Sequence, residues 1–318
     1  MTIESATKAH LHNGYRHEAL FWSGLEDFVA GTAPFVAEGV AAGEPVLVAV
    51  PESHWWPMRA ALGPAAEQVH YVDMTKLGAN PARIIPQWKR FVEQEAMSGV
   101  PVRGVGEPIW AGRRSAEINE CQVHEALLNI AIGPDVPLWL RCPYDLDGLD
   151  DDVLEAAQRS HPLLVEQEVY RGSTRYGGVD YVDSVMGGEL PEPPAGARLL
   201  KFDSLNIEAA RQAVWGWQAA AHVGGDRLDD LALAVHEVAV NSVLHGGGAG
   251  WLRMWRQADA LICDVRDNGI LHDPLAGRNT PDDSQPRGRG LWMANQLCDL
   301  VQIRSMPDGT VVRLQLWL

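Results

Sequence analysis

The stretch "LALAVHEVAVNSVLHGGG", residues 231–248, decides how the second half of the chain is read. Its apolar positions recur at helical spacing, so it reads as a helix packed on a core. Glu237 and Asn241 lie four residues apart within it and project from one face. Such a pair is usually a surface feature. Here the flanks Leu231, Leu233, Val235, Val238, Val240 and Val243 leave little solvent face, and the helix runs out into glycines.

Working outward, "ARLLKFD" (197–203) reads as a strand and residues 207–222 as a helix. "GWLRMWRQADALICDVRDNG" (250–269) reads as two strands joined by a Gln-Ala-Asp-Ala turn. Residues 270–287 are polar and aperiodic, a long loop of the kind that acts as a lid. "GLWMANQLCDLV" (290–301) is a helix, and "VQIRSMPDGTVVRLQLWL" (301–318) is a hairpin turning at Pro-Asp-Gly. Together they predict an α+β sandwich with helices on one face of a mixed sheet.

Several loops and element ends in this half suit a nucleotide. "GRGL" (288–291) opens a helix, and a Gly-x-Gly there exposes N–H groups and the positive dipole end to phosphates. Asp267 follows an apolar strand and can accept a hydrogen bond from an exocyclic amine. Asn241 offers a hard oxygen to Mg²⁺, and Glu237 can orient or deprotonate an attacking hydroxyl. Each piece alone is ordinary, since Gly pairs cap loops and Asp-Asn-Gly makes turns. The ordered set is specific.

The order E-x-x-x-N, D-x-G, G-x-G-L, G-T resembles the GHKL (Bergerat-fold) ATPases, and among them the anti-sigma-factor serine kinases more than the sensor histidine kinases. "HEVAVNSVLHG" is similar to the family's N box, "VRDNGI" to its G1 box and "RGRGLWMANQLCD" to its G2 box. The resemblance implies that Asn241 holds Mg²⁺, Glu237 is the general base, and Asp267 binds the adenine amine. It implies that Gly269 gives the base room and Thr310 supports it. Gly288, Gly290 and Leu291 then line the phosphates, under a lid formed by 270–287. One departure stands out: where many relatives carry a further glycine after D-x-G, this chain has Ile270, Leu271 and His272, a stiffer start to the lid.

The first half alternates strand and helix, which predicts an α/β layer with a mainly parallel sheet. Residues 16–42 read as one or two helices broken near Gly31 and Pro34. "PVLVAV" (45–50), "VHYVDM" (69–74), "VRGVGEPI" (102–109) and "PLWLRCPY" (137–144) read as strands, with helices near 81–97 and 115–130. No phosphate-loop motif occurs. Chemistry-bearing residues cluster as His12, Tyr15 and His17; Glu107 and Trp110; Glu120, His124, Glu125 and Asn129; Cys142 to Asp145; and His161-Pro162. Strand ends of open α/β sheets are where ligands bind, so Glu107, His124, Cys142 and His161 are the candidate sensory pocket. A metal on His124, Cys142 and His161 is the weaker reading, because no short ligand spacing is present.

"EGVAAGEPVLVAVP", "HEALLN" and "LRCPYDLDGL…HP" make residues 11–170 resemble the MEDS sensory domain, a RecA-like domain associated with small-molecule sensing. "HEALLN" also echoes "HEVAVN", but no D-x-G or G-x-G-L follows it, and the echo is read as coincidence. The expected division is a sensory domain at 1–186, a Pro/Gly-rich linker "GGELPEPPAGA" at 187–197, and a histidine-kinase-like ATPase domain at 198–318.

Composition sets the remaining bounds. A chain of 318 residues suits two domains. The net charge of −16 repels nucleic acid and makes a metal ion useful for holding a polyanion. Four scattered cysteines suit a reducing cytoplasm, and no apolar run is long enough to span a membrane. Twelve tryptophans are compatible with a contact surface, and a homodimer is a further expectation. No paired helices with an acceptor histidine precede the second half, so the expected acceptor is a serine or threonine of a separate protein. The sequence thus points to a cytoplasmic regulator of the anti-sigma-factor type. It would bind ATP and Mg²⁺, be gated by an unknown small molecule, and act on a sigma factor or an anti-anti-sigma-like protein. The alternative is a catalytically weak ATP-binding fold that regulates transcription by capturing its partner.

Overall fold

A computed structural model of the chain describes residues 14–95, 100–167, 169–217, 224–282 and 288–318. His12 and residues 283–287 of the expected lid lie outside them. The chain divides into two compact units, Met1–Val182 and Asp183–Leu318. Among the described residues no helix is long and apolar enough to cross a membrane.

The first unit is built on seven strands: β1 (Arg16–Trp22), β2 (Val46–Val50), β3 (Val69–Asp73), β4 (Val102–Gly106), β5 (Leu138–Asp145), β6 (Leu163–Glu166) and β7 (Val169–Gly172). Their order is β3-β2-β4-β5-β1-β6-β7. All neighbours are parallel except β6 and β7. Helices Gly24–Ala41, Glu52–Leu62, Ile84–Glu95, Ser115–Ala131 and Asp151–Ser160 connect the strands. β2 is "VLVAV", buried at every position, as a central parallel strand requires.

Residues 16–42 correct the sequence reading. Arg16–Trp22 is not helical but is β1, pairing with β5 on one side and β6 on the other. "RHEALFW" carries helix-forming Glu, Ala and Leu, and tertiary context overrides that preference. Its polar residues are not solvent-facing. Successive side chains of a strand point to opposite faces. His17 therefore meets Asn129 and Glu125 on one face, while buried Glu18 pairs with Arg141 and Arg16. The expected break at Gly31 and Pro34 is also absent, because the helix Gly24–Ala41 runs through Pro34.

The second unit holds β8 (Arg198–Asp203), β9 (Ala249–Gln257), β10 (Ala260–Asp267), β11 (Leu300–Met306) and β12 (Gly309–Trp317), in the order β11-β12-β10-β9-β8. Every pair is antiparallel, so the sheet is not mixed as expected. The helix expected at 207–222 is described over Glu208–Trp215; residues 218–223 lie outside the described residues.

Helices Glu208–Trp215, Gly225–His245 and Gly290–Leu297 share one apolar core with the sheet. Leu228, Leu231, Ala232, Val235, Val238, Ala239 and Ser242 form the buried stripe of the long helix. Leu261, Cys263 and Val265 of β10 face that stripe. The alternate residue Asp264 points the other way and forms a bidentate pair with Arg313, at 2.6 and 2.9 Å. Residues 187–197 contain no helix or strand. They are held on the sheet where Arg313 donates to the Pro191 carbonyl at 2.8 Å and Arg253 pairs with Glu192 at 3.3 Å.

Candidate functional site

The long helix of the second unit ends where the glycines begin. Gly246 N donates to the Ser242 carbonyl at 2.8 Å, closing the last turn. Gly247 and Gly248 take φ of +91° and +87°, which favours glycine, and lead into β9. Gly246 itself lies flat against the Asp267 side chain, where any Cβ would collide. The run of glycines therefore brings the helix end onto the end of β10.

That junction is tied by hydrogen bonds. Asn268 N donates to the Gly246 carbonyl at 3.2 Å. Gly269 N donates to Asp267 Oδ1 at 2.8 Å. Thr310 Oγ1 donates to the Gly269 carbonyl at 2.8 Å, and Asp267 and Thr310 are register partners across β10 and β12. A Cβ on Gly269 would lie 2.6 Å from the His245 carbonyl oxygen, so only glycine fits this approach. Asp267, Gly269 and Thr310, far apart in sequence, therefore form one corner.

Glu237 and Asn241 are both partly exposed, one turn apart on the helix leading to this corner. Gly290, the first residue of the Gly290–Leu297 helix, is placed against them. A Cβ there would lie 3.1 Å from Asn241 Nδ2 and 3.3 Å from Glu237 Oε2. Gly288 adopts φ +87° with open space where its Cβ would be. Leu291 follows in the same helix and borders Gly277. Glu237, Asn241 and Gly290 thus form one group and Asp267, Gly269 and Thr310 another, with the helix that carries Glu237 and Asn241 ending at the second.

The start of the expected lid is anchored. Leu271 N donates to Ser305 Oγ at 2.9 Å, and Asn295 Nδ2 donates to the Gly277 carbonyl at 3.0 Å. Ile270 is exposed.

The four residues expected to line the sensory pocket separate in the structure. Cys142 and His161 come together, but with His17 and Glu125 rather than with His124. His124 and Glu125 are sequence neighbours on one helix, so their side chains diverge by about 100°. His17 Nε2 is 3.1 Å and His161 Nε2 is 3.2 Å from Glu125 Oε2. Cys142 Sγ is 3.4 Å from His17 Nε2. All four residues are buried. Burial pushes the Cys142 thiol well above its ordinary range, and the Glu125 charge adds to this. Burial also lowers His17, helped by His161 and opposed by Glu125. His17 and Glu125 were visible in the sequence among the scattered polar residues. Strand parity selects them, because His17, in register with Leu140, shares a sheet face with Cys142.

Glu107 lies elsewhere, just past β4, where its Oε2 is 2.7 Å from His54 Nδ1. Burial raises the Glu107 carboxyl to about 7, against the pull of His54. Burial acts to lower His54, but the hydrogen bond and charge of Glu107 outweigh it and the net shift is upward. His54 also lines a cavity of about 380 Å³ with Trp22, Asp145 and Asp147, at the carboxyl ends of parallel strands. That is the usual ligand position in such a sheet.

Comparison with known proteins agrees with this division. Residues 16–162 match the family described as MEDS: MEthanogen/methylotroph, DcmR Sensory domain. Residues 201–316 match the family described as Histidine kinase-like ATPase domain. No curated protein matches the chain. The chain therefore carries a MEDS sensory domain followed by a histidine kinase-like ATPase domain, with the ATP binding that such a domain implies.

Proposed function

We propose that the chain is a cytoplasmic signalling regulator of the anti-sigma-factor type. In this reading the second unit binds ATP with Mg²⁺ and phosphorylates a serine or threonine of an anti-anti-sigma-like protein. The first unit adjusts that activity in response to a small molecule. The observation that carries the reading is Gly290 set against the Glu237–Asn241 pair. A phosphate-binding helix N-terminus thereby adjoins one carboxylate and one amide.

The residues fit the ligand. Asp267 Oδ1 is occupied by Gly269 N, which leaves Oδ2 to accept from the adenine amine. Gly269 has no side chain to obstruct the base, and Thr310 fixes its carbonyl. Asn241 would contribute its amide oxygen to Mg²⁺, which would offset the charge of the phosphates. Glu237 would take the proton of the acceptor hydroxyl as that oxygen bonds to the γ-phosphorus and ADP departs.

A second reading keeps ATP binding but not turnover, with control by capture of a partner. The anchored lid start at Leu271 and Gly277 favours it. Transfer of labelled γ-phosphate to candidate anti-anti-sigma-like proteins separates the two. Labelled serine or threonine supports the kinase. A stable complex without label supports capture.

A further inference from the structure

We propose that His17, Glu125, Cys142 and His161 are the four ligands of one divalent transition-metal ion of the zinc class, enclosed in the first unit. Their ligand atoms all lie within 4.8 Å of one another.

Hydrogen bonding fixes the tautomer of both histidines. Asn129 Nδ2 donates to the carbonyls of Glu125, Ala126 and Ser160, at 3.2, 3.3 and 2.7 Å. Its amide oxygen is thereby turned to His17 Nδ1, 3.1 Å away, which must carry the hydrogen. His161 Nδ1 lies 2.8 Å from the Ala157 carbonyl oxygen, a pure acceptor, and must also carry one. In the neutral rings both Nε2 atoms then carry lone pairs, and they lie 3.1 and 3.2 Å from Glu125 Oε2. Acceptor faces acceptor.

The Cys142 thiol can donate one hydrogen bond and leaves the rest unresolved. His161 Nε2 and Glu125 Oε1 are buried and make no hydrogen bond. Protonating one ring would pair Glu125 Oε2 but leave a fully buried imidazolium with its centroid 4.0 Å from the second ring, and protonating both would bury two. A single cation at the centre would take the lone pairs of both Nε2 atoms, the Cys142 sulfur and one Glu125 oxygen together.

Geometry and ligand type agree. Metal–ligand bonds of about 2.0–2.3 Å in a tetrahedron give ligand separations of about 3.3–3.7 Å. Three of the separations here are 3.1, 3.2 and 3.4 Å, within about 0.2 Å of that range, and the remaining ones are no more than 4.8 Å. Two imidazoles with a thiolate and a carboxylate select a borderline ion and disfavour Mg²⁺ and Ca²⁺, which take oxygen ligands. Nδ1–H donated to Asn129 and to Ala157 is the outer support that metal-binding histidines use. Four protein ligands make a closed site. It would pin together β1, β5, the Ser115–Ala131 helix and the residue that leads into β6.

The test uses the untagged full chain, produced with added zinc and without chelator. Elemental analysis should find about one zinc per chain. Cobalt in its place should give a thiolate-to-cobalt charge-transfer band that Cys142→Ser abolishes. Asn129→Ala, which frees His17 Nδ1, should weaken the metal by roughly 10–100-fold. His70→Ala, at an exposed histidine, should change nothing. If Cys142→Ser fails to fold, the wild-type cobalt spectrum decides: the band supports the site and its absence overturns it. Folded protein that stays substoichiometric in metal after zinc addition, or a band that survives Cys142→Ser, overturns the proposal.

Discussion

Thr310 Oγ1 donates a 2.8 Å hydrogen bond to the carbonyl oxygen of Gly269, tying the last strand to the loop after β10. The loop that would border the adenine is thus set by a hydroxyl 41 positions away. Thr310→Val keeps the β-branched shape and the strand but removes the bond. Stability should fall by about 1 kcal/mol, and ATP affinity should fall as Gly269 loosens. Thermal melting and calorimetric titration with ATP measure the two effects. Unchanged ATP affinity would separate Thr310 from the site.

Gly290→Ala should act on the nucleotide and not on the fold. The residue opens a helix, where alanine is preferred over glycine by up to about 1 kcal/mol. Its Cβ would press on Asn241 and Glu237. The expected result is a melting temperature at or near the wild-type value with ATP affinity down about tenfold, a change of about 1.4 kcal/mol. Equal affinity with normal folding would remove Gly290 from the phosphate site.

Asp267→Asn should weaken ATP by about 1–3 kcal/mol, because one oxygen becomes a donor facing the adenine amine. The bond from Gly269 N can be kept by the remaining oxygen, so the loop should hold. Calorimetry with ATP and with GTP checks this. An identical ATP affinity in wild type and variant would refute the adenine assignment.

The His54–Glu107 pair predicts a pH dependence of stability. The Glu107 carboxyl titrates near 4.5 ordinarily and near 7 in the fold. Its contribution is therefore fully present below about pH 4.5 and lost as pH rises through about 7. His54 is shifted upward as well, so its contribution is also lost with rising pH. The melting temperature of wild type, measured relative to Glu107→Gln, should fall between about pH 5 and about pH 8. A flat difference would mean that the carboxyl is ionised throughout.

How much was legible follows from what each residue depends on. The ATPase fold could be read because its short motifs lie at element ends, and the helix stripe and strand alternation place those ends. Asp264 was hidden inside the apolar-looking "LICDV", since its partner Arg313 comes from another strand. β1 was misread as helix because "RHEALFW" has helical composition, and only its central place in the sheet makes it a strand. The motifs "HEALLN" and "HEVAVN" share a spacing but not a use. In the first, Glu125 and Asn129 meet two histidines from other elements. In the second, Glu237 and Asn241 meet a glycine. His161 is therefore legible from its place after a helix, whereas grouping His17 rather than His124 with it requires the strand register.

The central claim is that Glu237 serves chemistry while its neighbours serve binding. The most direct measurement is γ-phosphate transfer by Glu237→Gln at saturating ATP and Mg²⁺, with ATP affinity determined on the same preparation. The account predicts an affinity within about twofold of wild type and transfer reduced roughly a hundredfold or more. Loss of ATP binding in Glu237→Gln equal to that in Asn241→Ala would contradict it and make Glu237 part of the pocket wall.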